Sequence, residues 1–138
     1  MNDPNDWNKK IIKEFRENEG KVGGMFAEMA LLLLHTTGAK SGLHRINPMA
    51  YLRDGDRLAV VASKAGAPTN PDWYHNVVAN SNVFVEVGTD EFKAVAEVAP
   101  EPERTALFEK MVALNPGFAE YEQKTTRVIP VITLTPLH

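Results

Sequence analysis

The stretch that decides the fold reads His35-Thr-Thr-Gly-Ala-Lys-Ser-Gly-Leu-His-Arg45, Ile46-Asn-Pro-Met-Ala-Tyr-Leu52, Arg53-Asp-Gly-Asp-Arg57, Leu58-Ala-Val-Val-Ala-Ser63, Lys64-Ala-Gly-Ala-Pro68 and, after Thr69, Asn70-Pro-Asp-Trp-Tyr-His-Asn76. A basic loop bracketed by glycines leads into an apolar run, a tight turn and a second apolar run. Asp54-Gly55 between Tyr51-Leu52 and Leu58–Val60 is a hairpin signal, because such a turn needs a residue that tolerates positive φ. Pro48 lacks the N–H that a ladder requires, which confines Ile46–Leu52 to a sheet edge or a bulge. Leu58–Ser63 reads as a central strand ending in a second basic, glycine-containing loop. Two such loops at the ends of neighbouring strands suit an anionic, ring-bearing cofactor.

Outward from this stretch, Leu31–Thr36 is apolar without alternation and reads as a strand buried on both faces. Asp3 and Pro4 predict a helix to about Glu19, capped by Asp3, with Trp7, Ile11 and Phe15 at i, i+4 and i+8 as its apolar stripe. Lys9, Lys10, Lys13 and Arg16 face elsewhere. That helix is expected to lie across the sheet or against a second subunit, and its basic amphipathic character also suits contact with a membrane surface. Gly20 ends it, and Gly23-Gly24 form a joint. Downstream, Asn70 caps a helix with Pro71 at its first position. Val83, Val85 and Val87 alternate with Phe84 and Glu86, and Gly88-Thr-Asp90 turns this strand into Phe92–Val98. Pro100 and Pro102 introduce a helix with Leu107, Met111 and Leu114 on one face, stopped by Asn115-Pro-Gly117. A short helix or ordered loop over Phe118–Thr125 precedes a last strand, Ile129–Thr135. Roughly six strands with hairpin links favour a small antiparallel barrel, mainly β (α+β), over a doubly wound sheet.

The 138 residues suit one domain, with residues 1–24 as an N-terminal helix and joint and 25–138 as the barrel. A net charge of −3 argues against a nucleic-acid surface. The absence of cysteine excludes disulfides and thiolate chemistry, and a cytoplasmic site is the expectation. Met25–Leu34 contains Glu28 and is about half the length that a spanning helix needs, and no signal peptide precedes it.

Several chemistries fail on spacing. Gly38-Ala-Lys-Ser41 lacks the Gly directly before Lys that a P-loop requires, and Ser41 lacks the flanking glycine of a nucleophile elbow. His35, His44, His75 and His138 have no metal-ligand spacing, and no G-x-G-x-x-G follows a strand. Anion binding remains. Gly38 and Gly42 let backbone N–H groups approach an oxyanion, Lys40 and Arg45 supply charge, and Lys64 stands beside Ala65, Gly66 and Ala67, too small to block a flat ring. Arginine grips phosphate through two hydrogen bonds and lysine acts as a point charge, so the trio suits a phosphodiester.

These residues resemble the deazaflavin-dependent nitroreductase family of actinobacteria. The resemblance rests on His35–Arg45, Tyr51-Leu-Arg-Asp-Gly55, Ala62-Ser-Lys-Ala-Gly-Ala-Pro68, Asn70–Asn76, Ala79-Asn80, Val83–Val87, Asn115-Pro-Gly-Phe-Ala-Glu-Tyr121 and Arg127-Val-Ile-Pro130. It runs from about residue 30 to the end. It implies an FMN-binding-like split β-barrel that uses coenzyme F420, an 8-hydroxy-5-deazaflavin with a phospholactyl-oligoglutamate tail, whose reduced form is the hydride donor. The implied acceptors are electron-poor conjugated small molecules: quinones, or the activated C=C bonds of enones and unsaturated lactones. By the same resemblance Lys40, Ser41, Arg45 and Lys64 hold the phosphate and acidic tail, Ala62 and Ser63 lie against the ring, and Asn47, Pro48 and Trp73 shape its pocket. His35, Thr36, Gly42, Ala67 and Asn76 complete the implied cofactor set. Ser63 or Tyr121 is the implied hydrogen-bond donor to the substrate. Ala39 departs from the basic residue common there. Ala50, Asn115 and Phe118 replace tyrosines of nitroimidazole-reducing members, which makes nitroimidazoles the least expected substrates. The alternatives are an FMN-dependent oxidoreductase of the same fold, a non-catalytic F420 carrier, and an interaction module built on the N-terminal helix. Apolar strands and a separable helix also suit a homodimer.

Overall fold

A computed structural model describes residues 4–18, 31–63, 69–126 and 128–137, with side chains from Lys9 onward. The expected Asp3 cap, the Gly20 stop, the Gly23-Gly24 joint, Lys64 and its small neighbours, and Arg127 lie outside the described residues, as does the Trp7 side chain. In chain order the elements are α1 (Pro4–Glu17), β1 (Leu31–Thr37), β2 (His44–Ala50), β3 (Leu52–Asp54), β4 (Arg57–Val61), α2 (Asp72–Ala79), β5 (Asn82–Val87), β6 (Asp90–Val98), α3 (Glu103–Leu114), α4 (Gly117–Gln123) and β7 (Val131–Pro136). No helix among the described residues is long and apolar enough to cross a membrane.

The strands form one sheet in the order β2-β1-β5-β6-β7-β4-β3, every pair antiparallel. β2 and β3 occupy opposite edges, yet only Tyr51 separates them in the chain. Consecutive Cα atoms are about 3.8 Å apart, so the two edges must meet at Tyr51 and the sheet must curl. The structure is therefore the split β-barrel that the resemblance implies. Seven strands replace the expected six because the run Ile46–Leu52 is cut at this bend. Pro48 does lie on an edge strand.

Alternation along the strands divides the apolar residues into three clusters. Leu32 and Leu34 of β1, Leu58 and Val60 of β4, and the three valines of β5 fill the barrel interior, where Trp73 and Val77 of α2 pack against them. Ala59 and Val61 face the other way and meet Leu107, Phe108 and Met111 of α3. Leu31 and Leu33 are covered by Ile11 and Phe15 of α1, so that helix lies across the outer face of β1 and β2. This explains the unalternating Leu31–Leu34: one face fills the barrel and the other receives a helix.

Three expectations need correction. The strand at Leu58 lies second from an edge, between β7 and β3, rather than at the centre of the sheet. α2 begins at Asp72, because Pro71 (φ −67°, ψ 157°) is itself the extended residue before the helix, displacing Asn70 from the capping position. Leu114 is exposed, since the buried side of α3 runs through Leu107, Phe108 and Met111.

Candidate functional site

The loop from β1 to β2 is a compact turn with its donors accounted for one by one. Gly38 N–H donates to Leu43 O (2.8 Å) and Gly42 N–H to Gly38 O (2.9 Å). Leu43 N–H donates to Ser41 Oγ (3.1 Å), and Ala39 N–H to Asn76 Oδ1 (2.9 Å). The N–H groups of Lys40 and Ser41, adjacent at the tip, have no partner among the described residues. Gly42 adopts φ +71°, the left-handed region that favours glycine. A Cβ on Gly38 would stand 2.5 Å from Ser41 Oγ and 3.3 Å from Leu43 O, so both glycines are required by the turn.

This loop is one wall of a cleft of about 870 Å³. The cleft is also lined by His44, Arg45, Ile46 and Asn47 of the edge strand β2, from both of its faces, by Asp72, Trp73, His75 and Asn76 of α2, and by Lys9 and Ile12 of α1. Lys9, Lys40 and Arg45 set three cations against the Asp72 carboxylate. Asn76 is buried and joins the parts: its Nδ2 donates to Thr36 Oγ1 (3.2 Å) while its Oδ1 holds the loop at Ala39. Two free, adjacent N–H groups flanked by lysine and arginine fit a phosphate or carboxylate group, which such a concave array of donors favours.

Of the residues named from sequence, Lys40, Ser41, Arg45, Asn47, Trp73 and Asn76 meet in this cleft. Gly42 shapes its loop, and Thr36 lies behind Asn76. Pro48 pairs with Leu33 and shares the α1 side of the sheet, away from Asn47. Ala62 is fully enclosed in the barrel interior. Ser63 is buried at the end of β4, next to a segment outside the described residues. Tyr121 packs on the cluster that contains Val61, its ring edge-on to Phe118 at 5.5 Å with Lys124 Nζ 5.9 Å from its centroid. Neither Ser63 nor Tyr121 is among the residues that line the cleft. Lys64 and Ala67 lie outside the described residues.

His35 is engaged elsewhere. On the α1 face of β1 its Nε2 meets Glu86 Oε2 (2.5 Å) and its Nδ1 meets His44 Nε2 (2.7 Å). Arg16 Nε and Nη2 donate to the two oxygens of Glu86 (3.1 and 2.8 Å). The Arg16 guanidinium, and after it His35, hold the Glu86 carboxyl below its ordinary range despite burial, and Arg16 is raised in turn. A second hollow of about 470 Å³ opens beside Phe15, Arg16, His35 and Glu86. Sequence reading missed Lys9, His44, Asp72 and His75 as cleft residues. His75 was legible in its motif, whereas Lys9 carried no signal beyond a basic helix face.

Comparison with known proteins identifies the family. The sequence model of the family described as F420H(2)-dependent quinone reductase matches residues 7–136. An F420H(2)-dependent quinone reductase of Mycobacterium tuberculosis (strain H37Rv) is 39% identical over 125 residues, covering 88% of this chain and 84% of the relative. A solved F420-H2 dependent reductase is 39% identical, with TM-score 0.70, and covers 76% of this chain and 93% of its own. Another solved structure, described as a domain-swapped dimer, is 35% identical with TM-score 0.72 and covers 96% and 99%. The haem storage protein HutZ of Vibrio cholerae, at 16% identity and TM-score 0.62, shares the fold alone. With the family model spanning nearly the whole length and the anion-ready loop inside the match, this chain belongs to the F420H(2)-dependent quinone reductase family.

Proposed function

We propose that this chain is an F420H2-dependent oxidoreductase whose acceptor is a quinone or another electron-poor conjugated small molecule. The carrying observation is the loop 38–43, where the N–H groups of Lys40 and Ser41 have no partner among the described residues and stand with the Lys40 and Arg45 side chains at a cleft, within a family named for this cofactor. Reduced F420, when bound, supplies the hydride. The chain's own residues bind and orient. Lys40, Ser41, Arg45 and Lys64 are assigned to the anionic tail, Asn47 and Trp73 to the pocket, and Asn76 and Thr36 to holding the loop in place. Ser63 or Tyr121, neither of which lines the cleft, is assigned as the hydroxyl donor to the acceptor oxygen on which charge develops. Enones and unsaturated lactones belong to the same acceptor class. Nitroimidazoles rank last, because Asn115 and Phe118 stand where tyrosines are expected.

Paired fluorescence titration with F420 and flavin mononucleotide tests the reading. Tight F420 binding with weak flavin binding, followed by F420H2 oxidation on adding a quinone, is the expected result. Tight flavin binding instead would move the protein to the FMN-dependent alternative, and F420 binding without turnover would make it a carrier. A homodimer belongs to the same proposal, supported by the 35% identical structure described as a domain-swapped dimer. Sedimentation at micromolar concentration checks it.

A further inference from the structure

We propose that α1 is a structural wall of the cofactor cleft and that Lys9 is a further cation for the anionic tail of the cofactor. The proposal rests on the assignment of F420 to this cleft and adds to it a residue and an element. Neither the family's name nor the loop motif concerns α1.

Three observations converge. Lys9 and Ile12, one turn apart on α1, line the same cleft as Lys40, Ser41 and Arg45. The helix is seated by apolar contact, with Phe15 1% and Ile11 8% exposed against Leu31 and Leu33. It is also pinned by charge: Arg16 grips Glu86 through two hydrogen bonds, Glu86 meets His35, and His35 meets His44, itself a cleft residue. A freely moving basic helix would need neither the buried Phe15 nor a carboxylate enclosed on β5. The pin fixes where α1 sits: Lys9 lines the cleft, while Lys13, one turn further along the same helix face, is not among its lining residues and pairs with Glu17 (3.8 Å). Arg16 and Glu86 are positioning residues here, and Lys9 is a binding residue.

The chemistry matches a ligand with several negative charges. The loop tip with Lys40 and Arg45 would hold one phosphate, and Lys9 on the α1 side would meet further negative charge of a longer acidic tail. Lys9 remains well exposed, so its contribution is screened and depends on salt.

The test is equilibrium F420 binding by fluorescence with three single variants, beside the deazaflavin riboside that lacks phosphate and glutamates. Lys9→Ala should weaken F420 about fivefold at low ionic strength, as expected for one solvent-exposed ion pair, and leave the riboside unchanged. Lys13→Ala removes the same charge from the same helix and should change neither. Glu86→Gln loosens the pin and should reproduce the F420 loss. Hydrogen exchange supplies a second readout: amides of residues 9–17 should slow when F420 binds the wild-type protein. Equal F420 affinity of wild type and Lys9→Ala, or equal losses for Lys9→Ala and Lys13→Ala, would overturn the inference while the cofactor assignment stands. Failure of the wild-type protein to bind F420 would overturn both.

Discussion

Lys40 and Arg45 are both exposed, and their value lies in where the loop puts them. Hydrogen bonds to charged groups contribute about 1.5–3 kcal/mol, so Lys40→Ala or Arg45→Ala should weaken F420 by roughly one to two orders of magnitude in a fluorescence titration. Unchanged affinity would remove either residue from the site. Asn76 makes a different prediction, because it holds the loop without offering charge. Asn76→Ala strands the Ala39 N–H and frees Thr36, costing roughly 1–3 kcal/mol of stability by urea unfolding. It should also weaken F420, since the donors at positions 40 and 41 lose their fixed direction. His35 shows the limit of reading a motif as a ligand set: it does not line the cleft, because strand alternation sends its ring to the α1 face of β1, where Glu86 and His44 engage it.

At the scale of elements, α1 is joined to the sheet by one apolar and one ionic contact, and the two can be separated. Phe15→Ala should cost about 3–5 kcal/mol, the usual loss for a buried aromatic, measured by urea unfolding. The ionic contact has a pH signature. The Glu86 carboxyl is held below its ordinary value of 4.5 by Arg16 first and His35 second. A depressed carboxylate stabilises the fold at pH values above the unfolded value, and the stabilisation is lost as pH falls through the folded one. Wild-type stability should therefore decline as pH drops below about 4.5, and Glu86→Gln should flatten that acid limb. Asp54, lowered chiefly by Arg57, adds a similar decline that the variant retains. An acid limb of equal steepness in the two proteins would exclude Glu86 as its source.

The whole molecule is decided by closure at Tyr51. The seven strands form one ladder from β2 to β3, each hydrogen-bonded to its neighbours, and unfolding should be a single transition by fluorescence and circular dichroism alike. Tyr51 packs against the barrel interior with Arg53 6.0 Å from its ring centre. Tyr51→Ala should cost roughly 1–3 kcal/mol without splitting the transition. The same scale governs membrane contact. Ile11 and Phe15, two residues of the apolar stripe of α1, are buried on the sheet and are not offered to a membrane surface.

The sequence by itself determined what is local. Asp54-Gly55 made its hairpin with Gly55 at φ +61°, Gly42 took the left-handed turn, Pro48 marked an edge, and the β5–β6 alternation specified its pairing. Those outcomes depend on φ preference, missing donors and a period of two, all contained within a few residues. That Lys40, Ser41 and Arg45 stand together at one loop was legible for the same reason. Only the tertiary structure decided that Asn76 clamps Ala39, that Glu86 is a buried seat for Arg16, that one apolar run splits into strands on opposite edges, and that Lys9 lines the same cleft as the loop. Each of these joins residues distant in the chain, and their meeting is set by strand register and by the curl of the sheet. Register obeys the burial of both faces at once, a condition that no single segment carries.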